Sequence, residues 1–220
     1  MLTILFTKKL DLQEISKVLG SEWKVECEEV LSFSYSSIPH VKLQQKNLIF
    51  TSVNGVKGFV KNLVAKDDII DCHFYCVGNR TEQYLHEHGF SVQTTKKNAK
   101  ELADFLIENK ITNSIHFCGN LVLPTLENNL KEAGLQYEKI EVYQTKLRYP
   151  IIEKKYDALV FFSPSGVESF VKNNSIEKEK IFSIGQTTTK SLQNYTNNPI
   201  FTAEKENVED LLALIQKTML

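Results

Sequence analysis

The second half of this 220-residue chain repeats the order of its first half. Lys24-Val-Glu-Cys-Glu-Glu-Val30 lines up with Gln136-Tyr-Glu-Lys-Ile-Glu-Val142 at an offset of 112 residues. Leu48-Ile-Phe-Thr-Ser-Val-Asn-Gly-Val56 lines up with Leu159-Val-Phe-Phe-Ser-Pro-Ser-Gly-Val167 at an offset of 111. Cys76-Val-Gly-Asn-Arg-Thr81 follows with Ser183-Ile-Gly-Gln-Thr-Thr188 at 107, and the strand-like Ile4–Thr7 has its counterpart in Ile115–Cys118. Four matches in one order indicate an internal duplication. Two arrangements satisfy it. The halves 1–112 and 113–220 can stand as side-by-side domains, or the early strands of each half can cross into the other lobe at Ser32–Pro39 and Thr145–Pro150. The pattern alone leaves both open.

Within each half, short apolar runs alternate with helical periodicity, which predicts parallel sheets with crossover helices. A strand is expected over Thr3–Thr7, then a helix capped by Asp11 and Glu14 and ended by Gly20. Leu12, Ile15, Val18 and Leu19 are read as that helix's buried face. A second strand is expected over Lys24–Leu31, with the Ser-rich Ser32–Pro39 as a connection. Further strands are read at Leu48–Thr51, Phe74–Val77, a marginal Val92–Thr94, Ile115–Cys118, Leu135–Tyr143 and Ile200–Thr202. Helices carry Val56, Phe59, Val60 and Leu63, then Leu102, Ala103, Phe105 and Leu106 behind an Asn98/Glu101 cap, and finally Val208–Ile215.

Bulk properties narrow the function. An apolar fraction of 42% supports two real cores. With 26 basic and 27 acidic residues, the chain lacks the basic excess of a duplex binder, so nucleic acid is not expected as a partner. The run Leu2–Phe6 is too short for a signal peptide, no stretch has membrane-span length, and a cytoplasmic protein with no membrane partner is expected. Cys27, Cys72, Cys76 and Cys118 lack paired metal-ligand spacing and read as structural. His73, His86, His88 and His116 show no ligand spacing, and His40 falls in the connecting region. No metal site is expected, and no signal for heme, flavin or nicotinamide is present.

Ligands of parallel α/β sheets collect beyond the C-terminal strand ends, where helix N-termini also point. There the duplicated polar turns fall. Thr51, Ser52 and Gly55 follow one strand, and Ser163, Ser165 and Gly166 follow its counterpart. Ser165 and Glu168 have capping-box spacing, so Ser165 reads both as a plain cap and as a cap that donates to a ligand. Ser52, lacking that acidic partner, sits in a tight turn whose amides suit a carboxylate or phosphate. Gly78-Asn79-Arg80-Thr81 and Gly185-Gln186-Thr187-Thr188 form the second pair. Neither is a dinucleotide fingerprint or a P-loop. Paired donors of this kind suit a large polyanion, and helix starts with no ligand remain the plain alternative. No triad elbow or metalloprotease motif appears, and Cys118-Gly119-Asn120 reads as a strand end. Tyr143 stands out beside the approach to Pro150, as a phenol able to hydrogen-bond a departing hydroxyl or to serve as hinge packing. Lys8, Lys146 and Arg148 add nearby positive charge.

Phe50-Thr51-Ser52, Val77-Gly-Asn-Arg-Thr81, Phe117-Cys-Gly-Asn120, Val142-Tyr-Gln-Thr145, Phe161-Phe-Ser-Pro-Ser-Gly166 and Ile184-Gly-Gln-Thr-Thr188 together resemble the uroporphyrinogen-III synthases, in order and across most of the chain. The resemblance implies two flavodoxin-like parallel α/β domains with crossed, discontinuous connectivity around an interdomain cleft. Residues 1–34 with 151–220 would form one domain and 38–145 the other, with linkers at 35–37 and 146–150. It implies a mobile hinge, a monomer, no cofactor, and the linear tetrapyrrole hydroxymethylbilane as substrate. The implied reaction removes water to give an azafulvene, passes through a spiro intermediate and inverts ring D. Tyr143 would assist hydroxyl departure. Thr51, Ser52, Asn79, Thr81, Gly119, Asn120, Ser163, Ser165, Gly166, Thr187 and Thr188 would bind or orient the carboxylate-bearing chain. One departure stands out: family members often carry basic residues after the Cys-Gly-Asn turn, where this chain reads Leu121-Val-Leu-Pro124. Competing readings are another α/β enzyme of carboxylated or phosphorylated metabolites, and a two-lobed small-anion-binding or regulatory module without turnover.

Overall fold

The structure, a computed structural model, describes residues 1–39, 43–63 and 69–219. His40 lies outside the described residues. The chain opens with β1 (Leu2–Phe6), α1 (Leu12–Leu19), β2 (Trp23–Cys27) and β3 (Leu31–Tyr35). It continues through β4 (Asn47–Phe50), α2 (Val53–Asn62), β5 (His73–Val77), α3 (Asn79–Glu87), β6 (Val92–Lys96) and α4 (Ala99–Glu108). The second half runs through β7 (Ser114–Gly119), α5 (Thr125–Glu132), β8 (Tyr137–Leu147), β9 (Ala158–Phe161) and α6 (Pro164–Val171). It ends with β10 (Lys180–Ser183), α7 (Gln186–Leu192), β11 (Ile200–Thr202) and α8 (Val208–Met219).

Two compact units result: Met1–Ser32 with Lys146–Leu220, and Phe33–Thr145. In the first, the strand order is β11-β10-β9-β1-β2, and every described pairing is parallel. Counted from the N-terminus of that unit this is the 2-1-3-4-5 order of flavodoxin-like sheets. The second unit orders its strands β3-β8-β7-β4-β5-β6. If β7 is counted as its first strand, the same 2-1-3-4-5 order returns, with β3 added at the edge. Each unit therefore joins the leading βαβ of one half to the trailing βαβαβα of the other. The duplication is crossed, and the side-by-side alternative is excluded.

Buried strands dictate this layering. Ser114–Gly119 and Ala158–Phe161 are buried throughout, as parallel strands covered by helices on both faces must be. In the second unit Phe50 stacks between Phe74 and Phe117, at ring-centroid distances of 6.1 and 5.6 Å, with Phe59 edge-on at 5.3 Å. In the first unit Ile4, Phe6, Val160 and Phe182 meet Ile15, Leu19, Leu211 and Ile215 on one face of the sheet.

Several local expectations are corrected. The strand expected over Lys24–Leu31 stops at Cys27, and a separate strand, β3, occupies part of the expected Ser-rich connection. Leu31, Phe33 and Tyr35 alternate with serines, a period-2 pattern that the serine content disguises. Only Ile15 and Leu19 of the expected α1 face are buried; Leu12 and Val18 are exposed, because a single i, i+4 stripe reaches the sheet. Val92–Lys96 is a full strand, and β8 extends to Leu147. Cys72, just before β5, donates its thiol to the Leu43 carbonyl at 2.8 Å.

The duplication extends to matching side-chain clamps. Asn62 accepts from the Ile38 amide at 2.9 Å and donates to the Ser36 and Gly58 carbonyls. Asn174 does the same in the other unit, accepting from Ile152 N–H at 2.8 Å and donating to the carbonyls of Pro150 and Phe170. Each clamp fastens the chain where it enters its unit from β3 or β8. At the neighbouring duplicated position the two units differ. A Cβ on Gly58 would lie 2.7 Å from the Val142 carbonyl oxygen, whereas Ser169 donates to the Val30 carbonyl at 2.6 Å.

Candidate active site

Thr51, Ser52, Gly119 and Asn120 lie where β4 and β7 end. These are the neighbouring strands at which the strand order reverses, the usual ligand position in open α/β sheets. Ser52 caps α2: extended at φ −158°, it accepts from the Gly55 amide at 3.1 Å. Its hydroxyl also lies 3.1 Å from the phenol oxygen of Tyr143. Tyr143 belongs to β8, two strands from β4, roughly 10 Å at ordinary strand spacing. Two features let the ring span that gap. The β7–β8 register slips between Cys118 and Gly119, so that Gly119 pairs with Tyr143. A Cβ on Gly119 would then sit 2.5 Å from Tyr143 Cε2, so only a glycine leaves room for the ring to cross β7.

Burial raises the Tyr143 phenol above its ordinary pKa, and the hydrogen bond with Ser52 acts in the opposite direction. The phenol therefore stays protonated at neutral pH. Either hydroxyl of the Ser52–Tyr143 pair can donate; with Ser52 as donor, the tyrosine O–H is left for a ligand. Cys118 is buried and its thiol is pushed up to about 11 by desolvation, which suits a strand end and not a nucleophile.

Asn120 is occupied otherwise. Its amide holds both backbone groups of Thr145, accepting from N–H at 2.8 Å and donating to the carbonyl at 3.2 Å. The Leu121–Pro124 turn that follows exposes Leu121 and Leu123. Asn79 and Thr81 lie one strand further along, in the first turn of α3. There Gly78 turns the chain at φ +83°, Asn79 is exposed and Thr81 is buried. No side-chain bond joins Asn79 or Thr81 to Ser52 or Tyr143 among the described residues.

In the first unit, Ser163 caps α6 and accepts from the Gly166 amide at 3.1 Å, matching Ser52 and Gly55. The Ser165/Glu168 capping-box expectation is corrected: Ser165 lies inside the first turn, with its hydroxyl 3.3 Å from Ser163 Oγ. Pro164 explains the shift, since proline is pre-shaped for the first helical position and makes the residue before it the cap. At α7, Thr187 is exposed, while Thr188 is buried with its hydroxyl unpartnered among the described residues. Thr189, which no sequence motif marks, bonds the Thr202 hydroxyl at 2.6 Å and Ser183 at 2.5 Å.

Sequence alone gives His116 no role and does not mark Tyr137. His116 is fully buried in β7; its Nε2 is 2.9 Å from Thr51 Oγ1 and its Nδ1 is 2.8 Å from Tyr137 OH. Desolvation lowers its pKa to about 4, so it is neutral at physiological pH. The available signal was a histidine alternating with Ser114 and Cys118 in a strand otherwise apolar enough to be buried on both faces.

Two crossed flavodoxin-like units, each presenting capped helix starts and hydroxyls at the carboxyl ends of parallel strands, define a duplicated α/β protein. The family model described as Uroporphyrinogen-III synthase HemD matches residues 34–213. The chain belongs to the uroporphyrinogen-III synthase family, cyclising lyases of porphyrin biosynthesis. Its structure is similar to the crystal structure of uroporphyrinogen-III synthetase from Helicobacter pylori 26695, with TM-score 0.73 and 21% identity over 99% of this chain and 100% of that one. It is also similar to a mutant uroporphyrinogen III synthase from the extremely thermophilic bacterium Thermus thermophilus, with TM-score 0.71 and 14% identity over 100% of this chain and 98% of that one. At these identities the likeness bears on the fold. Among the described residues no helix is long and apolar enough to cross a membrane.

Proposed function

We propose that this chain binds linear hydroxymethylbilane and cyclises it, with loss of water and inversion of ring D, to uroporphyrinogen III. The family match over residues 34–213 carries the reading. The chemistry needs geometry more than a strong acid. A pyrrole nitrogen lone pair expels the terminal hydroxyl, which leaves as water and gives an azafulvene. The substituted carbon of ring D attacks that electrophile to form a spiro intermediate, whose fragmentation and recombination invert the ring before closure. Holding the chain folded is the main task, because unguided closure gives the uninverted isomer.

Tyr143 is the residue proposed to assist. Its neutral phenol, with Ser52 donating to its oxygen, presents an O–H to the departing hydroxyl. Thr51, Ser52, Asn79, Thr81, Gly119 and Asn120 of one unit, with Ser163, Ser165, Gly166, Thr187 and Thr188 of the other, are proposed to hold the acetate and propionate carboxylates. Helix-start amides and hydroxyls suit them. The geometry of Asn120 favours an indirect part, through Thr145. The acting species is proposed as a cytoplasmic monomer that needs no added metal or cofactor.

A small-anion-binding module without turnover is disfavoured by the family match. The test separates the two. The protein should consume hydroxymethylbilane faster than its spontaneous closure, and Tyr143→Phe should lower kcat by about tenfold to a hundredfold with KM little changed. A wild-type kcat in the variant removes Tyr143 from the chemistry. Substrate held by the wild-type protein without turnover moves the chain to the binding module.

A further inference from the structure

The buried His116 has no part in the chemistry derived so far, yet both of its ring nitrogens are engaged. Nδ1 faces the Tyr137 hydroxyl at 2.8 Å and Nε2 faces the Thr51 hydroxyl at 2.9 Å. Thr51 directly precedes Ser52, the partner of Tyr143, at the end of β4. A neutral imidazole carries one hydrogen, so one nitrogen must donate and the other accept. Tyr137 decides which. Its half-buried phenol is held protonated by desolvation, and the hydrogen bond recorded for it among the described residues is the one to His116. A phenol O–H is the better donor and an imidazole nitrogen the better acceptor, so Tyr137 donates to Nδ1. The ring hydrogen then sits on Nε2 and is donated to Thr51 Oγ1. Having accepted that bond, the Thr51 hydroxyl keeps its own hydrogen for another acceptor.

We propose that His116 is a positioning residue, held as the Nε2–H tautomer by Tyr137, that turns Thr51 into an obligate donor to one substrate carboxylate. The opposite tautomer would have Thr51 donate into the imidazole and present oxygen lone pairs to an anionic substrate, which repels. The inference rests on the synthase reading for the identity of the acceptor, but the tautomer does not depend on it. The ring lies in a strand that is buried throughout, and its two hydrogen bonds, to Thr51 and Tyr137, hold its orientation. Lys139 and Glu127, the charged side chains that bear on the imidazole, act on it in opposite senses.

Two measurements test it. Nitrogen-15 NMR of histidine-labelled protein without substrate should give His116 a protonated Nε2 and an unprotonated Nδ1; a protonated Nδ1 overturns the proposal whatever the enzyme does. Kinetics then read the consequence. Thr51→Val should raise KM about tenfold with kcat within about twofold, as expected when a bond made equally in ground and transition states is lost. Tyr137→Phe should raise KM about threefold to tenfold in the wild-type background and not at all in the Thr51→Val background, because it acts through that hydroxyl. If Tyr137→Phe leaves KM unchanged, or has the same effect in both backgrounds, Tyr137 and His116 are packing residues and the proposal fails. A folded wild-type protein with the Nε2–H tautomer that never turns hydroxymethylbilane over overturns the substrate role of Thr51, and the failure then lies in the synthase reading.

Discussion

A methyl group on Gly119 would fall 2.5 Å from Cε2 and 2.9 Å from the hydroxyl of Tyr143, inside any tolerable contact. Gly119→Ala therefore displaces the ring from its path across β7 and breaks its bond to Ser52. Activity should fall at least as far as in Tyr143→Phe, by about a hundredfold, while circular dichroism stays native. A Gly119→Ala enzyme with near-native kcat would show that the ring need not cross that strand. His116 predicts a pH effect on stability. Its folded pKa, about 4, lies below the usual histidine value, so the unfolded chain binds the extra proton first. The contribution is complete above pH 6.5 and is lost as pH falls from there toward 4. The depressed carboxylates Glu26 and Glu127, at about 2, lose theirs only below pH 4.5. Between pH 7 and 5 urea unfolding should thus show a loss of about 2 kcal/mol that His116→Gln abolishes. An equal loss in the variant would place the titration elsewhere.

Among the elements, the two asparagine clamps, one ending α2 and the other following α6, do similar work at matching positions. Removing either leaves an entry-segment amide and carbonyl without their side-chain partners, so Asn62→Ala and Asn174→Ala should each cost about 1–3 kcal/mol in urea unfolding. A change below about 0.5 kcal/mol in both would mean that water replaces the side chain without loss. The clamps also mark a limit on what sequence discloses. Strands and helices followed from apolar runs and caps such as Asp11 and Asn98, whose side chains do accept first-turn amides. Ser52 and Ser163 were legible as paired turns because glycine three residues on recurs in both halves. The entry-segment partners of Asn62 and Asn174 lie more than 20 residues away in the chain, and no local pattern encodes such a bond. Tyr143 was legible by its place near the return of the chain. Its reach to Ser52 was not, since that depends on a register slip at Gly119. His116 was hidden for the same reason: its partners are Thr51, just past β4, and Tyr137 on β8, the strands flanking its own.

Across the whole molecule, duplication and crossing together explain why the two units share one strand order while one is a single inserted segment, Phe33–Thr145, and the other is split around it. Offsets of 107–112 residues disclosed the duplication, but pairing between β1 and β9, or between β4 and β7, is what establishes the crossing. The duplication gives each sheet its own set of helix-start donors, which the proposed function assigns to a substrate carrying carboxylates along its length. On the proposed function, these donors impose a folded substrate geometry that yields the inverted ring. The most direct test supplies freshly made hydroxymethylbilane to the purified protein, without added metal or cofactor, and separates the oxidised uroporphyrin isomers. Predominantly type III product, well above a heat-inactivated control, is the predicted result. Type I alone, formed at the spontaneous rate by protein shown to be folded, would contradict it.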